Sequence, residues 1–261
     1  MSLDQPADFV KHQTVTRDAF LGGRLTLSQP ARGFRAGLDS VLLGAAVPEG
    51  TKTVLDLGAG VGTAGLVALA LGRAAQAVLA ERDEAAFGLA GQNITGNGFT
   101  GRAEAVCVDV TASGAARRAA GLADNGYAAV IANPPYFAAG RGTLAAAPDR
   151  ADARHMDGTE LDLWARCAAA AAIADGLVIF IYPAEGLIAL LSALAPRFGG
   201  LTVLPLAPRP GADASRVLVR GTKGSRAPLR LLATRYLHGQ DGHGFAPEFD
   251  AILKGSAALD W

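Results

Sequence analysis

The sequence predicts an α/β fold in which helices cover a doubly wound, mostly parallel β-sheet. From Thr53 onward, short apolar runs alternate with longer segments of helical composition, as in chains built from strand–helix units. Each run is apolar on both faces, which is typical of strands buried in a parallel sheet. A glycine-rich turn follows the first run, at the position where sheets of this class commonly bind ligands.

Five buried strands are predicted: Thr53–Leu57, Gln76–Glu81, Ala103–Val108, Ala128–Ala132 and Leu177–Tyr182. The helices predicted between them are Gly62–Leu71, Glu84–Gly96, Ser113–Ala123 and Glu160–Ala174. From Phe198 the pattern changes to short apolar runs separated by Pro and Gly: Leu201–Leu204, Arg216–Arg220 and Leu229–Thr234. These runs are expected to form an antiparallel edge of the same sheet.

Two segments do not follow the alternation. Residues 1–50 precede the first core strand, so they are expected to form an N-terminal cap on a main domain of residues 51–261. Pro134–Thr159 is a long connection with little periodicity. Loops of this length in compact domains are often lids or binding loops.

The composition excludes several classes of protein. The 261 residues include 24 basic and 24 acidic side chains, so the chain is not a polycation that wraps nucleic acid. Cys107 and Cys167 are too few for a disulfide framework or a four-thiolate zinc site, and are expected to be buried thiols in a reducing compartment. We predict no signal peptide, membrane span or metal site, and we therefore expect a cytoplasmic protein.

The first candidate site is the turn Val54-Leu-Asp56-Leu-Gly58-Ala-Gly60-Val-Gly62. Glycines at every second position allow a tight turn and let the backbone approach a ligand closely. The helix that follows offers unpaired N–H groups and the positive end of its dipole. An ordinary strand-to-helix turn is the alternative. A dinucleotide site fits less well, because the spacing of its glycine motif is off the strand end by two residues.

Acidic residues end the next two strands. Glu81 follows the glycines by about 20 residues, a position from which a carboxylate can accept both hydroxyls of a ribose. Asp109 ends the third strand and can accept from the amine of an adenine. Each has an alternative role as a helix cap, although Asp83 is a better candidate for capping the helix that starts near Glu84.

The fourth strand ends in Asn133-Pro134-Pro135-Tyr136-Phe137. Two prolines fix an extended backbone and remove two N–H donors, which leaves carbonyl oxygens as acceptors. Asn133 adds a side-chain carbonyl, and Tyr136 adds an aromatic face. Together they would bind an NH₂ group attached to a flat π-system, whereas the alternative is a stiff loop.

In this order, the four motifs resemble those of class I S-adenosylmethionine-dependent methyltransferases that methylate an amino nitrogen on a planar group. The resemblance covers about residues 50 to 185 and implies a Rossmann-like sheet of seven strands. A narrower resemblance, to the bacterial tRNA adenine-N6 methyltransferases that modify valine tRNA beside the anticodon, also includes flanking motifs. These are Phe34-Arg-Ala-Gly37-Leu-Asp39, Ala153-Arg-His155, Pro205–Gly211 and Arg216–Gly224.

The resemblance implies roles for individual residues. Gly58, Gly60 and Gly62 would hold the methionine part of the cofactor, and Asp56 would lie near its amino group. Glu81 would bind the ribose, Asp109 would bind the adenine amine, and Val110 would pack on the adenine ring. Gly37 and Asp39 would close over the bound cofactor. The catalytic set would be Asn133, Pro134, Pro135 and Tyr136, with Asn133 and the Pro134 carbonyl accepting from the target NH₂ and Tyr136 stacking on the base. Substrate contacts are assigned to Phe137, Arg209, Arg216, Arg220 and Lys223.

A basic stretch supports an RNA partner. This stretch runs from Arg197 to Arg235, and Asp213 is its single acid. Its eight basic residues are Arg197, Arg209, Arg216, Arg220, Lys223, Arg226, Arg230 and Arg235. Such a cluster can bind phosphates although the whole chain is neutral. The alternative is a solvated strand edge, which basic side chains also protect.

Three alternative functions remain open at this point. A release-factor glutamine also presents a planar NH₂, so a glutamine-N5 methyltransferase would use the same Asn-Pro-Pro-Tyr motif. Methylation of an amino group of DNA or ribosomal RNA is another alternative. A protein that binds the cofactor without catalysis is the third, and the intact motif at Asn133 speaks against it.

Overall fold

The computed structural model describes residues 14–32, 35–135, 158–240 and 244–261. The strands are β1 (Val15–Phe20), β2 (Leu25–Pro30), β3 (Thr51–Leu57), β4 (Ala74–Glu81), β5 (Ala103–Cys107), β6 (Tyr127–Ala132), β7 (Ala172–Pro183), β8 (Phe198–Ala207), β9 (Arg216–Lys223), β10 (Arg230–Leu231) and β11 (Arg235–Tyr236). The helices are α1 (Leu38–Ala45), α2 (Thr63–Ala70), α3 (Glu84–Gly96), α4 (Gly114–Ala119), α5 (Gly158–Ala171), α6 (Leu187–Leu194) and α7 (Pro247–Leu253).

A central sheet confirms the predicted α/β fold class. Within the described ranges it has nine strands in the order β10-β8-β9-β7-β6-β3-β4-β5, and β11 also pairs with β8. All neighbours are parallel except β9, which is antiparallel to both β7 and β8. Seven strands, β3 to β9, are long, so the expected number differs only by the two-residue strands β10 and β11.

The predicted antiparallel part of the sheet is present, but it differs from the prediction in two details. The antiparallel strand, β9, lies inside the sheet, because it pairs with β7 on one side and with β8 on the other. Its Val217, Leu218 and Val219 are all buried by packing on the two faces. In addition, the predicted strand Leu229–Thr234 shortens to Arg230–Leu231, which runs parallel to β8. Leu229 and Leu231 face solvent, with Leu231 exposed to 68%, so little apolar burial extends the pairing.

Two hydrophobic cores lie on the two faces of the sheet. Successive strand residues point to opposite faces, so Val54 of β3 joins one core and Leu55 joins the other. Helices α1, α2, α3 and α7 cover the first core, and α5 and α6 cover the second. This arrangement explains why the predicted strands were apolar on both faces.

Two helices, α4 and α5, end several residues earlier than predicted. Helix α4 stops at Ala119, and Gly121 follows with φ of +99°, a conformation that ends the helix where continued alanines had suggested more. Helix α5 ends at Ala171, since Ala172 pairs with Tyr127 and begins β7. In both cases tertiary pairing or a glycine outweighs the helical propensity of alanine.

The segment before β3 contributes to the same core as the sheet. Leu42 and Leu43 of α1 are fully buried, and α1 lies so close to α2 that a Cβ on Gly44 would be 2.3 Å from the Ala64 carbonyl oxygen. Strands β1 and β2 form a separate antiparallel hairpin. The division into a cap of residues 1–50 and a domain of residues 51–261 stays a prediction.

Two further observations bear on the expectations from composition. Cys167 is buried as expected, but Cys107 is exposed, because the last residue of β5 lies at the rim of the sheet. No helix in the described part of the chain is long and apolar enough to cross a membrane.

Candidate active site

The carboxyl ends of β3 and β6 form the centre of the candidate site. Strand order reverses here, since β4 and β5 lie on one side of β3 while β6 and β7 lie on the other. Leu57 pairs with both Ala80 and Ala132, so β3, β4 and β6 end at nearly the same level of the sheet. The next residues are Gly58 and Asn133. In open α/β sheets this reversal point is where ligands bind.

A pocket of about 340 Å³ opens at this point, within the range of small-molecule sites. Its lining comes from the hairpin, α1 and the ends of β3, β4 and β6: Gln29, Pro30, Arg32, Ala36, Ser40, Asp56, Gly58, Ala59, Gly60, Val61, Ala64, Glu81, Asp83, Ala86 and Asn133. Five predicted site residues are thus brought together, namely Asp56, Gly58, Gly60, Glu81 and Asn133. Gly62, Asp109, Val110, Gly37 and Asp39 lie outside this lining.

The three glycines of the turn all have a left-handed backbone, with φ of +63° at Gly58, +56° at Gly60 and +89° at Gly62. Their surroundings differ. A Cβ on Gly58 would lie 2.4 Å from the Trp164 ring, and one on Gly62 would lie 2.6 Å from Leu79 Cδ1. A Cβ on Gly60 would meet nothing within 4 Å. Gly60 is therefore the glycine that leaves open space for a ligand.

Asp56 is buried beneath the turn, with 2% of its surface exposed. Its Oδ2 accepts a hydrogen bond of 2.9 Å from the backbone N–H of Gly65, in the first turn of α2. Burial raises the pKa of Asp56 to about 7, and the nearby charge of Glu81 adds to the rise. Asp56 thus fixes the start of α2 and lines the pocket with a carboxyl group that titrates near neutrality.

The Glu81 side chain holds the glycine turn by accepting a hydrogen bond from the backbone of that turn. Its Oε2 accepts from the N–H of Gly60 at 2.7 Å, while Oε1 accepts from the N–H groups of Arg82 and Asp83 at 2.7 and 2.8 Å. These bonds fix the carboxylate at the pocket wall. The predicted capping role of Asp83 is confirmed, because its side chain accepts from Ala86 N–H at 2.8 Å and caps α3.

Asp109 has local partners. Its Oδ1 accepts from both the N–H and the hydroxyl of Thr111, at 2.8 and 2.7 Å, and its Oδ2 lies 3.8 Å from Arg82. It does not cap α4, since Ser113 does so. Val110 is buried in the second core. Roles of Asp109 and Val110 in adenine binding stay predictions.

The start of α1 contributes a different residue from those predicted. Gly37 precedes the helix, and Asp39 accepts a 2.8 Å hydrogen bond from Nε of Arg216. Two residues predicted to bind different ligands therefore bind each other in this structure. The pocket is lined instead by the next residue, Ser40, which is buried.

The motif after β6 is described only in its first half. Asn133 is half-buried and lines the pocket, Pro134 is buried and Pro135 is exposed. Tyr136, Phe137, the rest of the long loop to residue 157, and Phe34 lie outside the described residues. Their predicted roles stay predictions.

The hairpin residues of the pocket were not predicted. Gln29 is 2% exposed, donates to Asp18 Oδ2 at 2.8 Å and accepts from the N–H of Ala36 at 3.0 Å. The hydrogen bond from Gln29 is the largest cause that lowers the pKa of Asp18, which also binds Arg35 at 2.7 Å. A signal was present in the sequence, because Leu25, Leu27 and Gln29 alternate and place an amide at a buried strand position.

The structure does not bring the predicted phosphate-binding residues together. Arg216 and Lys223 are at opposite ends of β9, about 24 Å apart along an extended strand. Lys223 donates to Asn125 Oδ1 at 2.8 Å and to the Ala172 carbonyl at 2.7 Å, and Arg220 stacks on the Trp261 ring at 4.6 Å.

Several partners of these basic residues come from outside the stretch. Arg197 binds Asp162 at 2.8 Å, and Arg235 binds Glu248 at 2.5 Å. A charge count along the chain could not include these acids. Arg209 is in the connection between β8 and β9, at the pocket end of the sheet, and donates to the carbonyls of Gly239 and Gln240 at 3.4 Å.

Comparisons with known proteins find related sequences and structures. The family described as "Methyltransferase small domain" matches residues 37–154. A protein of Erwinia tasmaniensis named tRNA1(Val) (adenine(37)-N6)-methyltransferase is 32% identical over 156 residues, which cover 58% of this chain and 59% of that protein. The protein of the same name from Shewanella amazonensis is 30% identical over 203 residues, 77% of each chain. The matches to the first two such relatives span about three fifths of those proteins.

Solved structures share the fold. A predicted O-methyltransferase of Agrobacterium tumefaciens is similar with a TM-score of 0.72 and 33% identity, over 85% of this chain and 99% of that one. A Thermus thermophilus 16S rRNA methyltransferase, solved with AdoMet and guanosine, has a TM-score of 0.53 at 19% identity, over 80% of this chain and 50% of that one. The second likeness concerns the fold alone.

Proposed function

Because the chain belongs to the family of the tRNA1(Val) (adenine(37)-N6)-methyltransferases, we propose that it methylates N6 of an adenine in tRNA, with S-adenosylmethionine as methyl donor. The adenine proposed is the one beside the anticodon of valine tRNA, and the proposed location is the cytoplasm. One observation carries the proposal: Asn133, which begins the predicted amine-binding motif, leaves β6 directly beside the glycine turn and lines the same pocket.

The described residues fit the proposed cofactor. The pocket is lined by three carboxyl groups, those of Asp56, Glu81 and Asp83, against one basic side chain, Arg32, among the residues described there. This charge suits a ligand that carries a sulfonium and an ammonium group. Gly60 leaves space for the ligand, and Glu81 is fixed where it can accept from ribose hydroxyls. When bound, S-adenosylmethionine supplies a methyl group activated by the positive charge on sulfur.

Asn133 and Pro134 are proposed to prepare the acceptor. The lone pair of an adenine amine is delocalised into the ring, which makes the nitrogen a poor nucleophile. Asn133 Oδ1 and the Pro134 carbonyl would accept hydrogen bonds from the two N–H groups of the amine. These bonds would hold the amine in place and localise the lone pair. Prolines at 134 and 135 supply no competing N–H donors. The proton then leaves to water, so no strong base is required.

The tRNA would reach this site through an unpaired base. A base in the anticodon loop needs little of the unstacking that a base in a stem requires. Tyr136 is proposed to stack on that base, with Phe137 beside it. Arg209 is proposed to contact phosphate, since its connection between β8 and β9 is at the pocket end of the sheet.

The test is a methyl-transfer assay. Labelled S-adenosylmethionine, the purified chain and total tRNA from cells that lack this gene are combined, and the nucleosides are then separated by mass spectrometry. We expect labelled N6-methyladenosine in valine tRNA. In Asn133→Ala the turnover should fall at least 100-fold while the Kd for S-adenosylhomocysteine changes less than about fivefold, because the cofactor keeps its other contacts.

Asn133→Asp is the matched control, since it keeps an acceptor oxygen at the same position and should retain more activity than Asn133→Ala. Cofactor binding without label in any RNA would contradict the tRNA proposal. The acceptor would then be sought by the same assay among release-factor glutamine, DNA and ribosomal RNA.

A further inference from the structure

Two asparagines of α3 hold the outer edge of β2. Asn93 accepts from the N–H of Ser28 at 2.7 Å and donates to the Ser28 carbonyl at 3.0 Å. Asn97 does the same with Thr26, at 2.9 Å for both bonds. The other edge of β2 pairs with β1, so the two side-chain amides stand where a third strand would pair.

The spacing of the two elements makes this match possible. Residues four apart on a helix rise by about 6.0 Å, and residues two apart on a strand rise by about 6.8 Å. Asn93 and Asn97 are four residues apart, and Thr26 and Ser28 are two residues apart. Each side-chain amide therefore faces the outward N–H and C=O groups of one strand residue. We call these two residues the asparagine pair.

The third hydrogen bond of each asparagine differs. Asn97 donates to the Asn93 carbonyl of its own helix at 2.8 Å. Asn93, which is 2% exposed, donates to the carbonyl of Val61 at 3.0 Å, between Gly60 and Gly62 of the turn. The same amide group therefore binds the glycine turn and the hairpin.

Both structures that Asn93 binds form walls of the pocket. Val61 is one of the lining residues, and Gln29, the residue after Ser28, is another. Gln29 in turn accepts from the N–H of Ala36, a third lining residue. A shift of the hairpin relative to α3 would consequently move the wall that contains Gln29 and break both bonds between Asn93 and Ser28. Those bonds hold in place the side-chain amide that donates to the Val61 carbonyl.

We propose that Asn93 is a positioning residue that couples docking of the β1–β2 hairpin to cofactor binding at the glycine turn. The inference rests on the proposed function only in taking S-adenosylmethionine as the ligand of this pocket. Coupling of this kind is reciprocal: bound cofactor stabilises the docked hairpin, and the docked hairpin strengthens cofactor binding by the same factor. Asn97 anchors the hairpin but does not transmit the coupling.

The test compares Asn93→Ala with Asn97→Ala in the full chain. Both variants lose two bonds to β2 and one to a carbonyl, so both should lower Tm by a similar amount. We expect the Kd for S-adenosylhomocysteine, measured by calorimetry, to rise at least tenfold in Asn93→Ala and less than twofold in Asn97→Ala. A purely structural role would raise Kd equally in both, and that result would overturn the proposal.

Hydrogen exchange provides the reciprocal measurement. S-adenosylhomocysteine should slow exchange of the Ser28 N–H in the wild type and in Asn97→Ala, but not in Asn93→Ala. If Asn93→Ala does not fold, Ser28→Pro and Thr26→Pro replace the pair, since each removes one outward N–H and leaves both asparagines in place. Only Ser28→Pro should then weaken binding, and equal effects of the two prolines would refute the coupling.

The readout is cofactor binding and not turnover. A wild-type chain that binds S-adenosylhomocysteine but methylates no tRNA would overturn the proposed substrate and leave this inference standing. A wild-type chain that binds no S-adenosylhomocysteine would overturn both.

Discussion

Gly58, Gly60 and Gly62 share a left-handed backbone, yet each meets the rest of the molecule differently. From the sequence, all three were expected to hold the cofactor. The structure shows that the Trp164 ring of α5 packs against Gly58 and that Leu79 of β4 packs against Gly62. Neither position therefore has room for a side chain. Such contacts join residues more than 15 positions apart, so the glycine spacing predicted the turn but not what lies against it.

Gly58→Ala should destabilise the chain more than Gly72→Ala does. Both glycines have positive φ, +63° and +69°, so both substitutions strain the backbone by about 1–2 kcal/mol. Only at Gly58 would the new methyl group also lie 2.4 Å from the Trp164 ring, which adds about 1–3 kcal/mol of overpacking. Urea unfolding measures the difference. Equal losses would mean that Trp164 moves aside freely.

Asp56 predicts a pH dependence of stability. Its pKa is about 7 in the folded chain and 3.8 when unfolded, so between these values only the folded state retains the proton. The stabilising contribution is complete below about pH 4 and is lost as the pH rises through 7. Asp56→Asn keeps an acceptor for the Gly65 N–H and removes the titration.

We therefore expect the Tm of Asp56→Asn, relative to that of the wild type, to increase between pH 5 and pH 8. Calorimetric scans at unit steps of pH would show this. Parallel curves for the two proteins would mean that Asp56 does not titrate in this range.

At the scale of elements, the predictions succeeded where burial is two-sided. Strands β3, β4, β6 and β7 are apolar on both faces, and helices between them follow from the alternation. The hairpin was not predicted, because β2 has only one buried face, β1 has no fully buried residue, and the partner of the hairpin is a helix distant in sequence. Edge placement also escaped prediction, since whether β9 lies inside or outside β8 depends on pairing and not on composition.

The ion pair between Asp39 and Arg216 joins α1 to β9, and it makes a modest prediction about stability. Both side chains are about one third exposed, so solvent screens the pair. A double-mutant cycle of Asp39→Ala and Arg216→Ala, followed by urea unfolding, should give a coupling free energy of about 0.2–1 kcal/mol. A value above about 2 kcal/mol would show that the pair is better shielded than its exposure indicates.

For the whole molecule, the distribution of charge matters more than the total. The chain is neutral, and the basic stretch along the sequence is distributed over both ends of the sheet. Acids from α1, α5 and α7 neutralise Arg216, Arg197 and Arg235. Candidate site residues could be predicted because strand ends meet at one edge, whereas surface charge could not, because it depends on distant partners.

On the proposed function, binding of tRNA should depend on the pocket end of the sheet. Arg209→Ala is expected to weaken tRNA binding and to reduce the slope of log Kd against log salt by about 0.7–0.9, the loss of one phosphate contact. Lys52→Ala is the control, because Lys52 is exposed at the opposite end, near the start of β3. Filter binding at several salt concentrations measures both. Equal slopes for the two variants would remove Arg209 from the RNA surface.

The asparagine pair also has a consequence for how copies of the chain meet in solution. An open strand edge presents unpaired N–H and C=O groups that can template pairing with another molecule, which leads to aggregation. On β2, the outward peptides of Thr26 and Ser28 are occupied by Asn93 and Asn97. These two side-chain amides therefore leave no place at Thr26 and Ser28 for an incoming strand, and the β2 border of the hairpin is closed to pairing between molecules.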